Sequence, residues 1–281
     1  MVDEKHLEYF SKLIKEKIGI VYIKENYYQL SSRLEDICKQ LKIESVDEFY
    51  RQYKQAEIQG DRSLESMLLD TATNNETKFF RDIGVFNAIK NILEEYLKAG
   101  KNYLNIWSAA CSTGQEPYSL AMILYDLEKK GYNFKYYMLA TDYSDRVLKH
   151  ASEGVYTQLQ VQRGLSAPML LTHFDQDSDG KFPNWRIKPY LKKSLIFKQM
   201  NLIEPWGHVG SFDLILCRNV LIYQNSQNKR SIVSRFCDHL IDDGYLVLGG
   251  TESMIGLSDQ FEVKKFGGSV IHQKITGKKA S

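Results

Sequence analysis

Leu104-Asn-Ile-Trp-Ser108 runs into Ala109-Ala-Cys-Ser-Thr-Gly114-Gln-Glu-Pro117, and an apolar helical pattern follows from Tyr118 to Lys130. A short apolar strand, a loop with a glycine and then a helix make the opening unit of an α/β sheet. The pattern repeats downstream. Further strands are predicted at Tyr136 to Thr141, Phe212 to Cys217 and Tyr245 to Gly249, with a helix from Gln227 to Leu240 between the last two. Alternation of this kind predicts βαβ units and a parallel sheet covered on both faces. Phe261 to Phe266 and Ser269 to Lys274, separated by Gly267-Gly268, read as a closing hairpin.

Upstream, apolar residues recur at helical spacing: Leu7, Phe10 and Ile14, then Leu30, Leu34, Ile37 and Leu41, then Val46, Phe49 and Tyr53. They predict a small helical domain over residues 1–70. Its first 65 residues hold 11 Lys and Arg against 13 Asp and Glu, so it is slightly acidic. A polar interdomain segment over 71–84 contains Asn75-Glu-Thr77-Lys-Phe-Phe-Arg81-Asp82, and the main domain is placed at 85–281. The rhythm breaks at about 155–200, which reads as an inserted β-subdomain with Asp175-Gln-Asp-Ser-Asp-Gly180 as a hairpin turn. That run opens like a calcium loop, but the twelfth position is Arg186 rather than a bidentate carboxylate, and no metal is expected.

Composition narrows the function classes. The net charge of +2 gives no basic stripe for nucleic acid. The four cysteines (Cys38, Cys111, Cys217, Cys237) form no CxxC pair, which suits reduced thiols in a cytosol. With neither a signal-peptide core nor an apolar run of membrane-spanning length, a cytoplasmic protein without membrane insertion is expected.

Ligand chemistry is sought at the carboxyl ends of the strands. A dinucleotide loop needs several glycines, whereas the loop after the first strand offers only Gly114. S-adenosylmethionine, which carries no phosphate, fits such a loop, with Glu116 placed to pair with its ammonium group. Glu116 and Pro117 also suit a plain helix start. Asp142, ending the second strand, is the candidate ribose ligand, although Asp in that position is also a common helix cap. Arg218 and Asn219 follow an apolar strand at Cys217, where burying them for packing alone would be costly.

Together these segments resemble the CheR family of chemotaxis receptor methyltransferases over nearly the whole chain. The resemblance is carried by Asn75-Glu-Thr77-Lys-Phe-Phe-Arg81, by Cys111-Ser-Thr-Gly-Gln-Glu-Pro-Tyr118-Ser and by Cys217-Arg-Asn-Val-Leu-Ile-Tyr223. It implies a Rossmann-like S-adenosylmethionine methyltransferase sheet with a small N-terminal all-α domain and an inserted β-subdomain. It further implies that Asn75, Thr77, Arg81, Glu116, Asp142, Asn201, Leu202, Cys217 and Arg218 line the cofactor pocket, with Arg81 and Tyr223 near the transferring methyl. Gly114 and Asn219 join this set from the loop reading.

The implied activity is transfer of a methyl group to glutamate carboxylates on the cytoplasmic helical region of chemoreceptors, releasing S-adenosylhomocysteine. A monomer is expected. Tyr223 would orient the acceptor carboxylate, and Arg81 would hold either that carboxylate or, preferably, the cofactor's own. The competing expectation is a non-catalytic S-adenosylmethionine-binding scaffold. Ala110 stands where the family usually has glycine, Gln115 where it has glutamate, and Gly249-Gly-Thr-Glu-Ser253 where a histidine-containing stretch is common. The acidic helical module also departs from a family in which the receptor-facing helix tends to be basic.

Overall fold

The computed structural model describes residues 2–177 and 183–277. The chain divides into two compact units. One comprises Met1–Asn74, Leu202–Glu204 and Tyr223–Lys229; the other comprises Asn75–Asn201, Pro205–Ile222 and Arg230–Ser281.

The first unit is built on helices α1 (Glu4–Ile18), α2 (Tyr27–Leu41), α3 (Val46–Gln59) and α4 (Ser63–Ala72). Local signals set their ends. Asp3 caps α1 by accepting from Lys5 N, Ser45 caps α3 by accepting from Glu48 N, and Gly19 and Gly60 end those helices with positive φ. The apolar stripes meet inside, with Phe10 stacked on Phe49 at 5.3 Å between ring centres and Leu30, Leu34 and Ile37 fully buried. Tyr22 Oη donates to Ala72 O at 3.0 Å and Arg33 donates to Thr71 O at 3.1 Å, satisfying carbonyls at the end of α4. The returning segment is tied in by Val21 N, which donates to Tyr223 O at 3.0 Å, and by Gln224 Nε2, which donates to Ile18 O at 3.1 Å.

The second unit opens with α5 (Ile83–Lys98) and then forms β1 (Tyr103–Ala109), α6 (Gln115–Lys129), β2 (Lys135–Asp142) and α7 (Asp145–Glu153). A small antiparallel sheet follows, made of β3 (Val155–Thr157), β4 (Phe174–Asp177) and β5 (Asn184–Ile187), with short helices α8 (Gln158–Gln162) and α9 (Ala167–His173) between β3 and β4. The main sheet resumes with β6 (Leu195–Gln199), β7 (Phe212–Cys217), β8 (Leu240–Leu248), β9 (Phe261–Phe266) and β10 (Ser269–Lys274). Helix α10 (Ser226–His239) precedes β8.

The seven-stranded sheet has the order β6-β2-β1-β7-β8-β10-β9. Pairings are parallel from β6 through β8, and β10 runs antiparallel to both β8 and β9. The fold is therefore the expected α/β architecture, hairpin included. From β1 the chain moves outward to β2 and β6, then returns to the other side of β1 for β7. The strand order thus reverses between β1 and β7, and ligands of open α/β sheets bind at the carboxyl ends of such a pair. Leu104, Ile106, Trp107 and Ala109 of β1 are all fully buried, as a central strand covered on both faces requires.

Two differences from the sequence reading have physical causes. The insertion expected at about 155–200 is narrower, because β6 pairs with β2 from Met138↔Leu195 to Asp142↔Gln199 and so belongs to the main sheet. As an edge strand it carries Lys198 and exposed Ile196, which hid it among polar insertion residues. β8 begins at Leu240 rather than near Tyr245, with a register irregularity opposite Phe212 and Leu214. The hairpin turn expected at Asp175–Gly180 lies partly outside the described residues, although β4 and β5 pair on either side of it from Phe174↔Ile187 to Asp177↔Asn184. Among the described residues no helix is long and apolar enough to cross a membrane.

Candidate active site

Ala109 and Cys217, the last residues of β1 and β7, are register partners. The loops leaving them meet in a three-member ionic cluster. Glu116, in the first turn of α6, accepts from Ser108 Oγ at 2.8 Å and from Arg218 Nη1 at 3.3 Å. Arg218 Nη2 donates to Asp82 at 2.6 Å. The Arg218 side chain is 2% exposed, Glu116 13% and Asp82 50%, so one fully buried cation is shared by a mostly buried carboxylate and a half-hydrated one. Phe86 of α5 covers the guanidinium, its ring centre 5.6 Å from Arg218 Cζ. Burial pushes the Glu116 carboxyl above its ordinary range, and the charge of Arg218, the hydrogen bonds from Ser108 and Arg218, and the charge of Arg81 pull it back.

The neighbouring edge is organised by Asp142, at the end of β2. Its Oδ2 accepts from Ser112 N at 2.8 Å and its Oδ1 from Ser144 N at 3.1 Å, so this mostly buried carboxylate fixes the loop after β1 and the entry to α7 together. Ser112 Oγ in turn donates to Asn75 O at 2.8 Å, bringing the polar segment ahead of α5 to the same loop. Arg81 donates to Glu76 O at 3.4 Å, and Glu76 pairs with Arg163 at 2.6 Å.

Gly114 has φ +92°, and a Cβ there would lie 2.8 Å from Ala151 Cβ and 3.1 Å from Tyr156 Oη. The glycine is therefore required by the close approach of α7 and β3 as well as by its conformation. Ala110 also has positive φ, +56°. A left-handed conformation costs an L-residue about 1–2 kcal/mol, while glycine raises the entropy cost of folding by about 0.4–1 kcal/mol. Ala110→Gly is thus expected to raise stability by up to about 1 kcal/mol, read as a higher urea midpoint at unchanged slope. A lower midpoint would mean that the methyl packs more favourably than its backbone is strained.

The expected site residues fall into groups. Glu116 and Arg218 meet directly, and Asn75, Gly114 and Asp142 gather on the loop after β1. Thr77 and Arg81 share the segment ahead of α5, and Asn219 begins the bend after β7. Asn201 follows β6, next to Met200, whose N donates to Asp142 O at 2.8 Å. Leu202 and Tyr223 belong to the helical unit, where Asn74 Nδ2 donates to Tyr223 Oη at 2.7 Å. Cys217 is fully buried within β7; burial pushes its thiol well up, with the charges of Glu252 and Glu116 adding to the effect. Cys111 behaves alike, raised by burial and by the charges of Asp142 and Glu116. The sequence reading missed Asp82 as the second partner of Arg218 and Ser108 as a donor to Glu116.

The donor set suits S-adenosylmethionine. Two buried atoms at this edge, Arg218 Nε and Asn219 Oδ1, make no hydrogen bond to the protein. One is a donor and the other an acceptor, matching a carboxylate and an ammonium at the cofactor's amino-acid end. Asp82, Glu116 and Asp142 outnumber Arg218 and Arg81, a local balance that favours a ligand bearing a sulfonium over a pyrophosphate.

A family model described as "CheR methyltransferase, SAM binding domain" matches residues 75–268. Chemotaxis protein methyltransferase 1 of Pseudomonas aeruginosa is 36% identical over 272 residues, covering 95% of this chain and 96% of the relative. Chemotaxis protein methyltransferase of Vibrio parahaemolyticus is 33% identical over 275 residues, covering 97% and 98%. Among solved structures, magnesium protoporphyrin IX methyltransferase of Synechocystis PCC 6803 is 13% identical with a TM-score of 0.37, over 75% of this chain and 88% of that one.

Proposed function

We propose, from the premise that the chain belongs to the CheR methyltransferase family, that it methylates glutamate side-chain carboxylates of chemoreceptors. Membership makes it an S-adenosylmethionine-dependent methyltransferase of chemotaxis; the acceptor is our reading. On this reading residues 1–70 form a helical domain, 71–84 an interdomain segment and 85–281 the methyltransferase domain, working in the cytoplasm on receptor helices.

The observation that carries the reading is the Glu116–Arg218–Asp82 cluster around a buried guanidinium at the β1/β7 edge, with Asp142 beside it. S-adenosylmethionine supplies a methyl group on a sulfonium, open to attack by an oxygen. Glu116 and Asn219 would hold its ammonium, Arg218 and Arg81 its carboxylate, and Asp142 its ribose, with Asn75, Thr77, Gly114, Asn201 and Cys217 completing the pocket. Glu116 and Asp142 are both committed to hydrogen bonds, so an acceptor that arrives already ionised fits this edge. A glutamate carboxylate, with a pKa of about 4.3 in solution, is such an acceptor and needs no general base. Tyr223 would orient it for in-line attack.

The test is to incubate the protein with methyl-labelled S-adenosylmethionine and chemoreceptor cytoplasmic fragments, then treat the product with mild base. Release of the label as methanol identifies a carboxyl methyl ester. Tight cofactor binding without transfer to any fragment would turn the reading toward a scaffold.

A further inference from the structure

The turn after β8 carries a further acidic residue, Glu252. Glu252 is partly buried, and its carboxylate accepts from four backbone N–H groups. Oε2 takes Gly249 N at 2.7 Å and Asn219 N at 2.8 Å; Oε1 takes Val220 N at 2.9 Å and Ile222 N at 3.3 Å. Glu252 N donates to Gly249 O at 2.9 Å, which closes its own turn.

Three of the four donors lie in the bend after β7, the segment that carries Arg218 and Asn219. The bend starts irregularly, because Asn219 adopts φ +60°, and then enters a short 3-10 helix over Leu221–Tyr223. Successive N–H groups converging from such a bend form the kind of concavity that binds anions. Here the anion comes from the chain itself, and hydrogen bonds to an ionised carboxylate are stronger than neutral ones. Gly249 allows the approach: a Cβ there would stand 2.7 Å from Asn219 Nδ2 and 2.8 Å from Asn219 N. A glycine at 249 therefore leaves room for the Asn219 amide and the Glu252 carboxylate that join the two loops.

We propose that Glu252 is a positioning residue for the cofactor site: by gathering the N–H groups of Asn219, Val220, Ile222 and Gly249 it fixes the bend that presents Arg218 and Asn219. The proposal rests on the cofactor site described above. Glu252 reaches no ligand itself and acts only through this bend.

Glu252→Gln keeps the size of the side chain but turns an NH2 toward two of the four donors. Calorimetry with S-adenosylhomocysteine on the full chain should show the Kd raised about tenfold, the scale of one charged hydrogen bond lost. The KM for S-adenosylmethionine should rise in step, and kcat should change less. In amide NMR spectra the resonances of Asn219, Val220, Ile222 and Gly249 should shift. Thr251→Ala, an exposed change on the same turn, should leave Kd unaltered.

A purely structural Glu252 would instead lower kcat with the active fraction and leave Kd and KM at wild-type values, and that result overturns the proposal. If Glu252→Gln does not fold, Glu252→Asp carries the comparison, since it keeps the charge but falls short by a methylene; wild-type Kd in that variant overturns the proposal equally. Product binding needs no methyl acceptor, so these outcomes judge Glu252 even if receptor glutamates prove not to be the substrate.

Discussion

Replacing Arg218 with leucine is expected to destabilise the protein by about 3–5 kcal/mol near neutral pH, the range for breaking a buried ion pair from one side. The guanidinium is almost fully buried and is the partner of Glu116, itself only 13% exposed, so its loss leaves that carboxylate uncompensated. Asp82 is half-exposed and can rehydrate, and it contributes little to the penalty. The loss should depend on pH in a defined direction. The Glu116 carboxyl already lies above its ordinary range because of burial, and the charge of Arg218 is the largest influence opposing that rise. Without Arg218 the folded-state value climbs further. A folded state that holds a proton more tightly than the unfolded chain gains stability as pH falls through its own pKa toward the unfolded value of about 4.3. The difference between variant and wild type should therefore shrink in acid, as followed by urea denaturation at several pH values. Arg218→Leu combined with Glu116→Gln should recover part of the loss at neutral pH. A deficit that stays constant from about pH 5 to about pH 8 would contradict the account.

The second large effect is expected in turnover. Tyr223→Phe should lower kcat about 100-fold, a loss of the size seen when one well-placed donor to a reacting oxygen is removed. The KM for S-adenosylmethionine should stay within about twofold, because the hydroxyl is assigned to the acceptor rather than to the cofactor. The fold gives no reason for collapse. Tyr223 is partly exposed, and its main-chain carbonyl, which accepts from Val21 N, is retained in the variant. The hydroxyl accepts from Asn74 Nδ2, which leaves its own proton for donation. Steady-state kinetics on a receptor fragment checks the assignment. Unchanged turnover would remove Tyr223 from the chemistry, and a raised acceptor KM at constant kcat would reduce its role to uniform binding.

The sheet was legible in the sequence because its central strands are mostly buried. Leu104 to Ser108, Tyr136 to Thr141 and Phe212 to Cys217 read as apolar runs, and all three lie inside β1, β2 and β7. Edge strand β6 was not legible, since Leu195-Ile-Phe-Lys-Gln is short, ends in two polar residues and follows Lys192-Lys193-Ser194. Helices α8 and α9 span 5 and 7 residues, too few to display a helical period.

At the site, the residue types at strand ends were visible, but their partners were not. Arg218 and Asp82 stand 136 positions apart, and only the strand order that returns β7 to the side of β1 brings their loops together. Glu252 read as part of a departure from a histidine-containing stretch. Its four hydrogen bonds are to main-chain groups, which carry no side-chain signature in a sequence.

Cys111 and Cys217 sit at the carboxyl ends of β1 and β7, next to the cofactor edge, and their thiols are held well above the ordinary range. Oxidants and alkylating agents react with thiolate, and these two positions present almost none at physiological pH while also being closed to solvent. Burial first, and the neighbouring carboxylates second, thereby shield these sulfur atoms from electrophiles, so methyl transfer is expected to continue under oxidants that disable enzymes with exposed active-site cysteines.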